Sequence, residues 1–304
     1  AQAIGLEPWR PHSARACART AGAAGMTCDD EDAATAADAP LPALRRLGAM
    51  IGDLGAAADL ECASRDAECR IAKLGLFPHE EWSLKHFPED LHPFCGEGLG
   101  IWQYPNQLLP LAVLLHKYRI ESYLEIGVAA GGTFTFLCEL LAQWHSPSPF
   151  RAMACDPAPP GCVSYLQQNP YKEGFKAWLE ATPSVEYVQE FSEKLERRWA
   201  REGAAPRSFD CVLVDGDHSY EGCWADLQMA LRFNAGVIIL HDVVGNIECP
   251  GVCQAWVEAQ DTLKDDFDFF EFAEQYDSVQ KNPGERLLGI GVCVRKSMPM
   301  RSSG

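Results

Sequence analysis

The chain has 304 residues, a formal charge of −17 and 47% hydrophobic residues. That length and apolar content support one large domain, or one domain with an appended segment. The acidity argues against nucleic acid or an anionic membrane as the main partner, since both require a basic face.

No apolar run approaches the roughly 18–20 residues of a membrane-spanning helix. The 13 cysteines are scattered and odd in number. None forms a CxxC pair, and Cys249-Pro-Gly-Val-Cys253 has no second half, which speaks against a zinc site of the usual spacing. Most cysteines are therefore expected to be small buried hydrophobes in a reducing compartment, with Cys62, Cys69 and Cys95 left as candidates for a disulfide. The expectation is a soluble intracellular protein, cytoplasmic or organellar after removal of a targeting segment.

Residues 1–40 are rich in Ala, carry the acidic cluster Asp29-Asp-Glu-Asp32, and have no sustained apolar periodicity. They read as a disordered or processed tail. Residues 41–120 read as a helical N-terminal extension and cap. Leu41–Cys62 and Arg65–Phe77 have helical spacing, Trp82–Tyr104 is aromatic-rich and interrupted by prolines, and Gln107–Arg119 is an apolar helix. The aromatic residues Trp82, Phe87, Phe94 and Trp102 are candidates for a surface that meets a second copy or a partner protein.

From residue 121 to 296 strands and helices alternate. Tyr123–Val128 is a short buried strand, and Gly127, Gly131 and Gly132 form a turn into the apolar helix Thr133–Leu141. Strands follow at Phe150–Cys155, Val185–Gln189, Phe209–Val214 and Gly236–Leu240. Helices are expected at Val163–Leu179, with Pro170 a point where that helix could break, and at Ser192–Glu202, Tyr220–Phe233 and Gly251–Leu263. Phe267–Tyr276 and Leu287–Arg295 have only the polar loop Asp277–Glu285 between them, which predicts a closing antiparallel hairpin. Residues 297–304 read as a C-terminal tail. The fold class is α/β: a doubly wound, Rossmann-like, mostly parallel sheet with an antiparallel last strand and helices on both faces.

In such sheets ligands bind beyond the carboxyl ends of the strands. Polar groups gather at four of those ends here: Glu125 and Gly127; Asp156; Asp215, Asp217 and His218; and His241 with Asp242. Each has a plain structural reading as well. Asp156 could be a turn former before Pro157, Asp217 or Ser219 a helix cap, His241–Asp242 a structural pair, and Asp226 a solvated helix face.

Leu124-Glu-Ile-Gly-Val-Ala-Ala-Gly-Gly-Thr133 resembles the first motif of class I S-adenosylmethionine-dependent methyltransferases. Val214-Asp-Gly-Asp-His-Ser-Tyr-Glu-Gly222 and Gly236-Val-Ile-Ile-Leu-His-Asp242 are similar to a branch that includes small-molecule O-methyltransferases, with cephalosporin-hydroxylase-like and macrocin-type members. The resemblance covers about residues 98–296 and implies a seven-stranded sheet. It implies that Glu125, Gly127, Val128, Ala129, Gly131 and Thr133 line the methionine part of S-adenosylmethionine. By the same resemblance Asp156 holds the ribose, Ser192 lies near the adenine, Asp215 faces cofactor and substrate, and Gln103 closes over the cofactor. Ala129 stands where many relatives have Gly.

Catechol-type and macrocin-type relatives bind magnesium through acids after the fourth and fifth strands, and Asp215 and Asp242 match two of those positions. A divalent metal such as magnesium is therefore a candidate cofactor, although His241 would suit a softer transition metal better. The implied activity is methylation of a small hydroxylated acceptor, with His218, His241 and Asp217 as candidate catalytic groups. The competing readings are a non-catalytic binding or scaffold subunit on the same fold, and a nicotinamide-dependent oxidoreductase. The Gly127/Gly131/Gly132 spacing fits the oxidoreductase fingerprint poorly.

Overall fold

The computed structural model describes residues 40–54, 60–78, 81–163, 169–201, 207–244, 249–276 and 286–301. The predicted tail before residue 40 and the polar loop 277–285 lie outside them.

Seven strands form one sheet in the order β3-β2-β1-β4-β5-β7-β6. The strands are β1 (Ser122–Ile126), β2 (Arg151–Asp156), β3 (Val185–Gln189), β4 (Cys211–Val214), β5 (Val237–His241), β6 (Phe267–Phe272) and β7 (Ile290–Arg295). Neighbours among β1 to β5 pair in parallel, and β7 runs antiparallel between β5 and β6. The predicted hairpin is thus present, and its second strand is the one inserted next to β5. Chain order reverses between β1 and β4, so the crevice opens at the carboxyl ends of those two strands.

Two apolar layers cover the sheet, and strand alternation divides residues between them. Tyr123, Ala152, Ala154, Cys211, Leu213, Val237 and Ile239 face one layer. Leu124, Ile126, Met153, Val212, Val214, Ile238 and Leu240 face the other. The first layer is built by α1 (Pro40–Asp53), α2 (Leu60–Lys73), α4 (Pro105–Leu115), α5 (Gly132–His145) and α6 (Lys172–Ala181); the second by α7 (Ser192–Arg201), α8 (Tyr220–Arg232) and α9 (Pro250–Thr262). α3 (Glu81–Leu84) and a 3₁₀ turn (Glu89–Phe94) lie between α2 and α4.

The N-terminal helices share the sheet's own core. Leu44, Leu47, Ile51, Ile71 and Leu108 are buried in the same cluster as Tyr123 and Val237. The Trp144 indole N–H of α5 donates to the Gly48 carbonyl of α1 at 3.0 Å. The aromatic residues expected on a partner surface are largely consumed internally: Phe87 is buried edge-on against Tyr104, and Trp102 stacks on Phe77 with ring centroids 4.0 Å apart. Aromatic rings contribute most where both faces leave water. The side chain of Trp82 lies outside the described residues.

Other expectations are corrected by local chemistry. α6 begins at Lys172, just past the break expected at Pro170, because the residue before a proline disfavours the helical region. Asn169 precedes Pro170, and its side chain instead accepts the Tyr171 N–H at 3.0 Å. Asp226 is buried rather than solvated. Residues 299–301 are docked, with Arg301 N–H donating to the Lys117 carbonyl and Arg119 N–H to that of Pro299. Cys69 is disulfide-bonded, whereas the Cys95 thiol donates to the Leu91 carbonyl.

Candidate active site

At the carboxyl end of the sheet the chain forms an open cleft of about 740 Å³. One wall is the turn from β1 to α5. Gly127 has φ +79°, and a side chain there would collide with the Asp215 carbonyl. Only glycine lets the ends of β1 and β4 come this close. Gly131, at φ +90°, caps α5 without a side-chain bond, and a Cβ on it would sit 2.5 Å from the Phe175 ring. The first N–H groups of α5 therefore have no side-chain acceptor at the cap. Ala129 is in the left-handed region at φ 45°, where it carries the strain that glycine would avoid.

Asp156, at the end of β2, holds this turn. Its Oδ2 accepts from the N–H of Val128 at 2.8 Å and Ala129 at 3.2 Å, while Oδ1 accepts from Ala158 at 2.8 Å. The carboxylate lines the cavity with both oxygens already engaged. Glu125 is 2% exposed, and the Tyr123 hydroxyl donates to it. Burial pushes its carboxyl up to about 8, although the tyrosine bond acts in the opposite direction. Val128, Thr133 and Ser192 also line the cavity, and Asp226 lies beneath Ser192, hydrogen-bonded to it. Burial raises Asp226 to about 6. These features fit a sulfonium nucleoside cofactor: a cavity at the switch point, a cradle that Cβ atoms would fill, and uncapped amides at its floor.

The opposite wall is a cluster of five side chains. Asp215 follows β4, His218 lies three residues on, His241 ends β5, Asp242 follows it, and Cys249 precedes α9. His218 Nε2 is 3.2 Å from Asp215 Oδ1 and 3.8 Å from Asp242 Oδ2. His241 Nδ1 is 3.4 Å from each of the same two oxygens. Cys249 Sγ lies 3.2 Å from His218 Nδ1 and 3.6 Å from Asp242 Oδ2. Asp242 reaches this position through a left-handed backbone, φ 60°, which Asp tolerates better than most residues.

Hydrogen bonds to Asp215 and then to Cys249 raise His218 to about 11. Burial disfavours charge on His241, but Asp215 and Asp242 outweigh it and raise the imidazole to about 9. Burial alone would raise Asp242; the facing histidines hold it below the usual carboxylate range.

The candidate residues separate on this geometry. His218 and Asp215 face the cavity. His241 is 8% exposed at its edge. Asp217 belongs to the helix start: its Oδ1 accepts the Ser219 N–H at 2.9 Å, and the Ser219 hydroxyl accepts that of Gly222 at 3.1 Å. Gln103 is fully buried and bonded to His241, not placed across the cavity. Cys249 is the member that the spacing rules set aside. Its partners come from β4 and β5, so no local Cys/His pattern reveals it.

As a magnesium centre the cluster fits poorly. Magnesium takes octahedral oxygen ligands, and two of the four converging donors are imidazole nitrogens.

Residues 124–243 match a family model described as a methyltransferase domain. No curated protein sequence matches the chain. Among solved structures, the chain is similar to an O-methyltransferase from Bacillus cereus in complex with SAH: 15% identity, 66% of this chain, 84% of that one, TM-score 0.42. It is similar to the O-methyltransferase TomG from Streptomyces achromogenes in complex with SAM: 17% identity, 64% and 80% coverage, TM-score 0.41. It is also similar to a putative rRNA-methylase from Clostridium thermocellum: 14% identity, 66% and 98% coverage, TM-score 0.44. From the middle of β1 to the residues after β5, the chain matches that methyltransferase-domain model, and the matched stretch lies on the seven-stranded sheet described above.

Proposed function

We propose that the protein methylates a hydroxyl oxygen of a small molecule. The observation that carries this reading is the two-sided cavity, with the glycine turn on one wall and the Asp215/His218 pair on the other, at the β1/β4 switch point. When bound, the cofactor supplies a methyl group on a sulfonium for in-line displacement. Gly127 to Thr133 hold the methionine end, and Asp156 keeps that turn in shape. Ser192 and the 53% exposed Phe191 border the far end of the cavity, where a nucleobase would lie.

The chain's part in the chemistry is alignment and charge control. His218 is the exposed histidine of the cluster, so an acceptor hydroxyl meets it first. Asp215 keeps that imidazole charged near neutrality, and the charged ring stabilises the acceptor oxygen as its proton leaves toward the carboxylates. His241 stands behind it, 8% exposed at the cavity edge. This departs from a neutral histidine acting as the base.

A formal charge of −17 favours a small acceptor over RNA. Isothermal titration with S-adenosylhomocysteine, followed by turnover against a panel of phenols, catechols and sugars, tests the reading. Product-nucleoside binding with methylation of at least one acceptor is expected. Absence of binding sinks it, and binding without turnover across the panel favours a non-catalytic subunit.

A further inference from the structure

We infer that Cys249 is a positioning residue for His218. Its sulfur accepts the imidazole Nδ1–H, its own S–H donates to Asp242, and the two bonds fix the ring that faces the acceptor. This inference deepens the reading above and relies on it only for where the acceptor lies.

The first support is a count of hydrogens. His218 Nε2 faces carboxylate oxygens, 3.2 Å from Asp215 Oδ1 and 3.8 Å from Asp242 Oδ2. An ionised carboxylate only accepts, so Nε2 carries a hydrogen. On the other side of the ring Nδ1 lies 3.2 Å from Cys249 Sγ, and that sulfur lies 3.6 Å from Asp242 Oδ2. The carboxylate again only accepts, which commits the S–H to Asp242. Sulfur is left with a lone pair for Nδ1–H. Each polar hydrogen from His218 through Cys249 then has an acceptor.

The second support is how little else the thiol does. Cys249 is the N-cap of α9, a position where Ser, Thr, Asp or Asn usually accepts a free helix N–H. Its side chain makes no such bond, and Pro250 at the first helical position has no N–H to offer. The residue is 4% exposed and lines the cavity beside His218. Burial pushes the thiol up, so it stays protonated, as a donor to Asp242 must.

The third support is the backbone underneath. A Cβ on Gly251 would lie 2.3 Å from the Tyr220 nitrogen and 2.7 Å from the His218 carbonyl oxygen. The first turn of α9 therefore packs directly onto residues 218–220, with no room for a side chain between them. Cys249 thus reaches His218 from the end of a docked helix. The His218 side chain is itself 44% exposed. Without the thiol, only the carboxylate side of its ring would be held.

The test is NMR of the full chain labelled with ¹⁵N-histidine, with the His218 signals assigned by their loss in His218→Gln. The two ring nitrogens are told apart by their couplings to the ring C–H protons. Two ring N–H peaks are expected from His218 in the unsubstituted chain. Cys249→Ala and Cys249→Val, the second close to cysteine in volume, should each abolish the Nδ1–H peak by opening it to exchange with water. The Nε2–H peak, held by Asp215, should remain. A Nδ1–H peak that persists in either variant overturns the inference, as does a single ring proton in the unsubstituted chain.

With an acceptor from the panel above, Cys249→Val should lower kcat roughly 5–100-fold, the cost of one unmade hydrogen bond. Its S-adenosylhomocysteine affinity should stay within about threefold of the parent's. Equal losses in both would make the role general packing and overturn the inference. Calorimetry on the unsubstituted chain separates the two failures. Absence of S-adenosylhomocysteine binding rejects the cofactor reading, whereas the ring-proton result stands or falls by itself.

Discussion

Gln103 and His241, 138 residues apart in sequence, meet through their side chains at 3.0 Å inside the protein. The contact joins the segment ahead of α4 to the end of β5, so the N-terminal part of the chain supports the polar wall of the cavity directly. A site on this fold needs only the strand ends to exist, but its exact donors depend on what is packed behind them.

That contact predicts a measurable cost. Gln103→Leu leaves His241 Nε2 and the Tyr104 N–H without partners in the interior. Equilibrium urea denaturation should show a loss of about 1–3 kcal/mol. A change within error of zero would mean that water replaces the amide.

Gly131→Ala should fail for two separable reasons: the positive φ and the Phe175 ring 2.5 Å from the new methyl. The left-handed backbone alone costs about 1–2 kcal/mol. The expected outcome is a lower melting temperature and at least tenfold weaker S-adenosylhomocysteine binding. Phe175→Leu in the same chain should restore part of the stability but not all of it, because only the clash is relieved.

Glu68, on α2, has its carboxyl raised to about 7 by burial and then by Glu274, with Arg65 opposing. In the unfolded chain it titrates near 4.5. The folded state therefore holds the proton more tightly. Its contribution is fully present below pH 4.5 and is lost as pH rises through 7. Glu68→Gln removes that dependence. The variant should match the parent at pH 4.5 and exceed it by about 1–2 kcal/mol at pH 8, after allowance for partial solvation. Thermal melts at the two pH values check this, and an equal difference at both would reject it.

His218→Ala should lower kcat by roughly 10²–10⁴ while leaving S-adenosylhomocysteine affinity within about threefold, since the imidazole faces the acceptor rather than the glycine turn. Once an acceptor is known, steady-state kinetics paired with calorimetry distinguish the two effects. Equal losses in both would place His218 on the cofactor side.

Much of the architecture follows from the order of residues alone. Short apolar runs ending in Glu125, Asp156, Asp215 and His241 alternate with helical periods, and that alternation dictates a parallel sheet with its polar groups at one edge. The pair Phe267–Tyr276 and Leu287–Arg295, lacking an intervening helix, dictates the antiparallel closure. Gly127 and Gly131 are legible because only glycine accepts the backbone those turns adopt.

Local pattern cannot say what a side chain meets from a distant element. Asp226 reads as part of a solvated helix face, yet packing buries it under Ser192. Trp102 and Phe87 look like surface aromatics until Phe77 and Tyr104 cover them. Cys249 reads as an orphan of the zinc-finger spacing rule, because its companions arrive from the ends of two other strands. The acids that face His241 Nδ1 and the Gln103 amide behind its ring are properties of tertiary packing, since burial and hydrogen-bond geometry arise only when separate segments exclude water from the same point.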